Sequence, residues 1–185
     1  MSDRAGFTLW FTGLSGSGKT TIAELVGPEL ERRGALVEYL DGDVVRTHLS
    51  KGLGFSKADR DTNIGRIGWV ASRFTRAGVV TLVSAISPYI EARAAARGLV
   101  EEFGPFIEIF VDTSVEECAN RDVKGLYAKA FSGEIKEFTG VSDPYEAPPS
   151  PDVHLATETL TAEESAALVV GELEARGLIG RPVAA

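Results

Sequence analysis

Five short apolar runs punctuate the chain: TLWF at residues 8–11, LVEYL at 36–40, VVTLVSA at 79–85, FIEIFVD at 106–112 and VHLA at 153–156. Each reads as a strand, and behind each comes a polar tip and then a stretch of helical period. The predicted helices end near Arg33–Gly34, Ala77–Gly78, Phe103–Gly104 and Arg176–Gly177, with a short one opened by Ser114. Gly34, Gly78 and Gly177 stand where a helix C-terminus calls for a left-handed residue. Ser114 with Glu117, and Thr161 with Glu164, have capping-box spacing at helix starts. Strands apolar on both faces that alternate with helices predict an α/β fold, a parallel sheet covered on both sides. In such sheets ligands bind at the carboxyl ends of the strands, where the polar tips fall.

Length and composition narrow the class. The 185 residues suit a single domain spanning 1–185. With 44% hydrophobic and 25% charged residues, the chain fits a globular protein and excludes a wholly disordered or collagenous one. No run of about 20 apolar residues predicts a membrane span, and no secretory signal is visible. The single cysteine, Cys118, cannot form an internal disulfide and is read as core, in keeping with a cytoplasmic location. A net charge of −8 opposes nucleic-acid binding. Small anionic ligands remain compatible with it, because salt screens the average field within about 8 Å. The two histidines, His48 and His154, are far apart and suggest neither a zinc site nor a Ser–His–Asp triad.

One stretch breaks the rhythm. Residues 121–152 separate the fourth strand from the fifth and contain Pro144, Pro148, Pro149 and Pro151. Connectors of that length are uncommon and usually serve as lids or binding loops, so a lid is expected over about 121–150. Lys124, Lys129 and Lys136, three of the six lysines, lie within it. A solvated surface excursion is the alternative.

The strongest chemical signal is Gly13-Leu14-Ser15-Gly16-Ser17-Gly18-Lys19-Thr20, a G-x-x-x-x-G-K-[ST] pattern between a strand and a helix. Glycines let the backbone curl so that successive N–H groups face phosphate oxygens, and the helix adds its positive end. Lys19 is placed to reach the β- and γ-phosphates, and the Thr20 hydroxyl to ligate Mg²⁺. Such a loop identifies no single reaction.

The other tips supply acceptor candidates. Asp41, Asp43 and Arg46 follow the second strand, suited to orienting a hydroxyl, holding magnesium waters and clamping an anion. An Asp N-cap beside a surface arginine explains the same residues equally well. The apolar stripe Ile64, Ile67, Ala71 and Phe74, extended backwards at about 100° per residue, places Arg60 and Asn63 on its face. That predicts an anion site at the edge of the core, or else a fraying helix end. Phe55 sits in a glycine-flanked loop, positioned to stack on a flat ring or fill a gap. The third strand ends Ile86-Ser87-Pro88, where proline predicts an extended Ser87 that presents its hydroxyl at the tip; a simple turn accounts for it as well.

Together these residues resemble the adenylylsulfate kinase family. The matching pieces are FTGLSGSGKTTIA, LDGDVVR, LGFSKADRDTNIGRIG, SAISPY, RDVKGLYAKAFSGEIKEFTGVSDPYE and HLATE, in family order. The resemblance implies a P-loop nucleotide-kinase-like three-layer fold with a five-stranded parallel sheet, helices on both faces and a lid. It implies transfer of the γ-phosphoryl of MgATP to the 3′-hydroxyl of adenosine 5′-phosphosulfate. The implied ATP contacts run from Gly13 through Thr21, with Arg121 and Thr157 near the base. On the acceptor side it implies Asp41, Asp43 and Arg46, with Asp43 orienting or deprotonating the 3′-hydroxyl, and Arg60 and Asn63 on the phosphosulfate. Phe55 and Phe138 would sandwich the adenine, and Ile86, Ser87, Lys124, Gly125 and Leu126 would complete the pocket. Ser87 matches a phosphorylatable serine of the family, yet in-line transfer needs no covalent intermediate, so it is expected to act as a positioning residue. A homodimer and a functional link to an ATP sulfurylase are implied as well.

The departures are Thr62, Gly65 and Ile90, which replace an acidic and two basic residues, and Thr20 in place of serine. The first strand also begins almost at once, without the N-terminal extension of many single-domain relatives. These bear on acceptor affinity, substrate inhibition and dimer contacts. Two other readings remain: a P-loop kinase acting on a nucleoside monophosphate, and a nucleotide-binding regulatory module without catalysis.

Overall fold

The computed structural model describes residues 6–122 and 125–180. Its strands are β1 (Phe7–Thr12), β2 (Val37–Asp41), β3 (Val80–Ser84), β4 (Phe106–Asp112) and β5 (Val153–Ala156). Between and after them run α1 (Lys19–Arg32), α2 (Gly42–His48), α3 (Lys57–Arg76), α4 (Ile90–Glu101), α5 (Val115–Arg121), α6 (Leu126–Phe131) and α7 (Ala162–Ala175). All strand pairs are parallel, in the order β2-β3-β1-β4-β5. Leu9 of β1 lies opposite Leu82 of β3 and Ile107 of β4, which puts every polar tip on one edge.

Alternation along β1 divides the core into two layers. Leu9 and Phe11 pack with Ile22, Val26 and Leu30 of α1 and Val169 and Leu173 of α7. Trp10 points the other way, onto Ile64, Ile67 and Ala71 of α3 and Ala96 and Val100 of α4. Its indole also stacks on Phe106 at 5.4 Å. Each such side chain contributes roughly 1.5–3 kcal/mol on full burial, so the two layers hold the sheet from both faces.

The expectation of strands buried on both faces holds for β1 and β3 and for most of β4. It fails at the edges, because a strand with one neighbour leaves part of its surface to water: Glu38 and Tyr39 of β2 are exposed, as are His154 and Ala156 of β5. The predicted helix-ending glycines do adopt left-handed φ: 82° at Gly34, 82° at Gly78 and 69° at Gly177. Thr161 and Glu164 form a full capping box. At Ser114 only half of one forms. Its side chain accepts from the Glu117 N–H, while Glu117 turns to Arg121 and the Ser114 N–H donates to Glu158 instead.

The described residues of 121–152 are only partly solvated. They include α6, which the sequence pattern did not reveal, and several of their side chains are buried, Tyr127 and Thr139 at 2% exposure each. Asp122 accepts from the Tyr127 and Ala128 N–H groups, at 3.0 and 3.2 Å, and so caps α6. Those two donors hold its carboxyl below the usual carboxylate range.

Helices α3 and α4 cross closely at Gly68, where a Cβ would come within 2.8 Å of the Ala96 Cβ. A Cβ at Gly65, one turn earlier, meets nothing within 4 Å. Two glycines in one helix therefore respond oppositely to alanine. Gly68→Ala should destabilise by about 1–3 kcal/mol through overpacking, whereas Gly65→Ala should stabilise by up to about 1 kcal/mol through helix propensity. Denaturant unfolding of both variants checks the opposite signs.

Candidate active site

β1 runs straight into the phosphate-binding loop. Gly13 takes φ 146°, and a side chain there would strike the Val111 carbonyl at 2.4 Å, so the loop must pass β4 without a Cβ. Lys19, the first residue of α1, lies over the loop. Its Nζ donates to the Gly13 and Leu14 carbonyls at 3.0 and 2.6 Å and sits 3.4 Å from Ser17 Oγ. The ammonium is thus held at the mouth of a ring of backbone, where an incoming phosphate competes for it. The Thr20 hydroxyl donates to Asp41 Oδ2 at 2.9 Å. Asp41 Oδ1 meanwhile accepts from the Asp43 N–H at 2.9 Å. Asp41 is therefore an N-cap of α2 and a partner of the loop threonine at once. The N-cap explanation of this segment therefore holds for Asp41.

A cavity of about 650 Å³ extends from this loop along the carboxyl edge of the sheet. Its lining includes Ser15, Gly16, Gly18, Lys19, Thr20 and Thr21 on the cradle side. Facing them are Asp41, Asp43, Arg46, Phe55, Arg60, Asn63, Ile86, Ser87, Leu126 and Phe138. Residues from both predicted halves thus share one space of the size that holds a small-molecule ligand.

Other predicted residues stand outside that lining. Gly13 and Ser17 are buried beneath the loop. Leu14 instead lines a second cavity of about 570 Å³, with Phe110, Asp143 and Tyr145. Arg121 and Thr157 meet on the flank of the loop: Arg121 Nη2 donates to the Thr157 carbonyl at 3.1 Å, and Nη1 reaches the Ser17 carbonyl at 3.5 Å. Gly125, with φ 64°, precedes α6. Lys124 lies outside the described residues.

The first turn of α3 carries its polar residues inward, as the extended stripe predicts. Arg60 and Asn63 are 6% and 5% exposed, and the Asn63 Oδ1 has no hydrogen-bond partner. Arg60 Nε donates to the Phe55 carbonyl at 2.7 Å and Nη1 to Thr139 Oγ1 at 2.8 Å. Its Nη2 donates to the Glu137 carbonyl and lies 3.4 Å from Asp143 Oδ2. One guanidinium thus ties the loop before α3 to the lid. Arg46 and Arg60 both approach the Phe55 ring, at 4.5 and 5.6 Å from its centroid. Burial first, and the like charge of Arg60 second, lower the pKa of Arg46. Like charge so close is what an anion between the two guanidiniums would relieve. Phe138, half-buried on the lid side, is held edge-on against Tyr127 at 4.9 Å.

Ser87 departs from expectation. It is not extended: its φ is +43°, a region where a non-glycine residue costs on the order of 1–3 kcal/mol. Nor is its hydroxyl presented at the tip. The residue is 1% exposed, its Oγ accepts from Trp10 Nε1 at 3.1 Å and donates to the Ala85 carbonyl at 3.2 Å. Packing against Trp10 overrides the local preference that proline imposes.

Several residues of this edge escaped the sequence reading. Tyr127 donates its hydroxyl to the Ser15 carbonyl at 2.9 Å, which locks α6 to the phosphate loop, and burial pushes its phenol pKa up. Thr12 is hydrogen-bonded to Tyr145 at 2.9 Å and donates to the Ile86 carbonyl at 2.8 Å. Both lie inside family-like pieces, Thr12 in FTGLSGSGKTTIA and Tyr127 in RDVKGLYAKAFSGEIKEFTGVSDPYE, without a role attached to either; for Thr12 a polar residue within the apolar β1 was a further signal. Cys118 is wholly buried and burial raises its thiol pKa, which agrees with a core role.

A sequence model of the adenylylsulphate kinase family matches residues 5–156. An adenylyl-sulfate kinase of Rippkaea orientalis is 54% identical over 97% of this chain and 97% of its own length. A probable bifunctional SAT/APS kinase of Sorangium cellulosum is 52% identical over 98% of this chain, which corresponds to 31% of that larger protein. The structure of Mycobacterium tuberculosis APS kinase CysC in complex with AMPPNP and APS superposes with a TM-score of 0.89 at 45% identity, covering 92% of this chain and 99% of that one.

Burial pushes the Tyr145 phenol up to about 12. An unfolded tyrosine ionises near 10. Between about pH 10 and 12 the unfolded chain therefore loses this proton first, and stability should fall as pH rises. Tyr145→Phe should remove a part of that alkaline loss on the order of 2 kcal/mol, measured by denaturant unfolding at pH 9 and pH 11.5.

Proposed function

The chain belongs to the adenylylsulfate kinase family, and from that premise we propose how its own residues carry the family's reaction. ATP phosphorylates the 3′-hydroxyl of adenosine 5′-phosphosulfate, giving 3′-phosphoadenosine 5′-phosphosulfate and ADP. The observation that carries this reading is the single cavity lined by both the phosphate cradle and the acceptor-side residues. The 3′-oxygen forms a bond to the γ-phosphorus, the bridge to the β-phosphate breaks, and the hydroxyl proton leaves to Asp43.

Within that cavity Lys19 and the loop N–H groups hold the β- and γ-phosphates, and Arg60 with Arg46 receives the phosphosulfate. Their charge offsets the repulsion between two anionic nucleotides. Phe55 and Phe138 hold the acceptor adenine, and Ile86, Ser87 and Leu126 shape its pocket. Arg121 and Thr157 sit by the ATP base. Lid residues 121–150 exclude water, the competing acceptor. The Thr20 hydroxyl and the Asp41 carboxylate are hard oxygen donors side by side at the loop, a set that suits Mg²⁺ arriving with the nucleotide. Bound there, the metal supplies charge neutralisation on the phosphates.

Beyond the reaction, we propose one domain over 1–185, a homodimer, a cytoplasmic location and a functional link to an ATP sulfurylase. The fused relative supports the link. No helix among the described residues is long and apolar enough to cross a membrane.

A coupled ADP-release assay with MgATP, with and without adenylylsulfate, tests the reaction. Release that follows a nucleoside monophosphate instead, or none with any acceptor, would favour the two competing readings. Lys19→Ala should lower kcat/KM by about 10²–10³-fold with little change in fold, checked by circular dichroism. Asp43→Asn should lower kcat by roughly 10²–10⁴-fold and leave ATP affinity near normal. Loss of ATP affinity alone in that variant would remove Asp43 from the acceptor side.

A further inference from the structure

Arg93 of α4 is 3% exposed, and none of the roles assigned above uses it. Its guanidinium donates in three directions. Nε bonds Glu108 Oε1 of β4 at 2.8 Å, Nη1 the Ser87 carbonyl at 2.7 Å and Nη2 the Glu146 carbonyl at 2.7 Å. The carboxylate of Glu108, 12% exposed, compensates the buried charge. Arg93 does not line the 650 Å³ cavity, whereas Ile86, Ser87 and Pro88 do.

What the side chain holds gives it a purpose. Ser87 keeps φ +43° before a proline, so this rim of the acceptor pocket needs constraint from outside its own backbone. Trp10 holds its hydroxyl and Thr12 the preceding Ile86 carbonyl. Arg93 holds the carbonyl of Ser87 itself. The same guanidinium grips the returning leg of the lid at Glu146. That residue also donates its N–H to the Pro88 carbonyl and accepts the Ile90 N–H on its carboxylate, both at 2.8 Å. Rim and lid leg are thus fastened to one planar group.

We propose that Arg93 is a positioning residue for the acceptor: it keeps the Ser87 rim and the Glu146 leg of the lid in one register, and acts through them on adenylylsulfate. The inference rests on the acceptor side of the reading above. Lysine keeps the charge but donates from a single point and cannot span the three acceptors as the fork does.

The test is Arg93→Lys, assayed with each substrate varied in turn, with ATP affinity measured separately by titration of a fluorescent ATP analogue. The expected result is a ten- to hundred-fold fall in kcat/KM for adenylylsulfate, with ATP affinity within two-fold of normal. Equal losses toward both substrates, or unchanged kinetics, would overturn the proposal. Should that variant not fold, Arg93→Met/Glu108→Met removes the buried pair whole, a change such sites often tolerate. The same selective loss is expected of it, and normal adenylylsulfate kinetics in it, or failure of both variants to fold, would overturn the proposal. The unsubstituted protein in the same assay separates the two readings. If it shows no adenylylsulfate-dependent ADP release, the proposed reaction falls and this inference with it; if it does and the variants match it, the Arg93 role alone falls.

Discussion

The buried guanidinium of Arg60 joins the lid to the body of the fold, and the working edge of the sheet depends on that junction. It sits on the first turn of α3, where the apolar stripe facing the sheet turns polar. Its donors reach the Phe55 carbonyl on one side and Glu137 and Thr139 of the lid on the other. A cation at 6% exposure is stable only when its donors are matched, and here the lid supplies most of the acceptors. Lid placement and charge placement are therefore one problem with one solution.

That solution works inside a chain whose overall charge is −8. The average field repels both nucleotides, so affinity must come from cations that are close, partly desolvated and aimed. Lys19 is gathered over the loop carbonyls, and Arg46 and Arg60 converge on one aromatic ring. Within a low-dielectric cleft a few such groups outweigh many distant carboxylates. The arrangement sets two like charges side by side, the condition that the proposed anion would relieve.

Much of this was legible from residue order. The P-loop pattern, the strand–helix cycle and the helix-ending glycines are local signals, since each depends on a backbone preference acting over a few residues. The placement of Arg60 and Asn63 followed from helical period alone. Ser87 departs from that reading because the proline preference is also local, whereas the bonds that overcome it come from Trp10 and Thr12, more than 70 residues away, and from Arg93 on the first turn of α4. Helix α6 and the buried face of the lid were hidden for a related reason: a six-residue helix carries too few periods to stand out, and its burial is created by partners such as Ser15.

The sequence by itself determined the alternating layers, the cradle and the face of α3 that lines the cavity, because short-range sterics and hydrophobic period specify them without reference to the rest of the chain. Only the tertiary structure decided which tips share a cavity, what holds Ser87 against its own preference, and where the guanidinium of Arg93 finds its acceptors. Those outcomes depend on parallel strands bringing residues far apart in the chain to one edge, and on buried charges that are stable only where such partners meet.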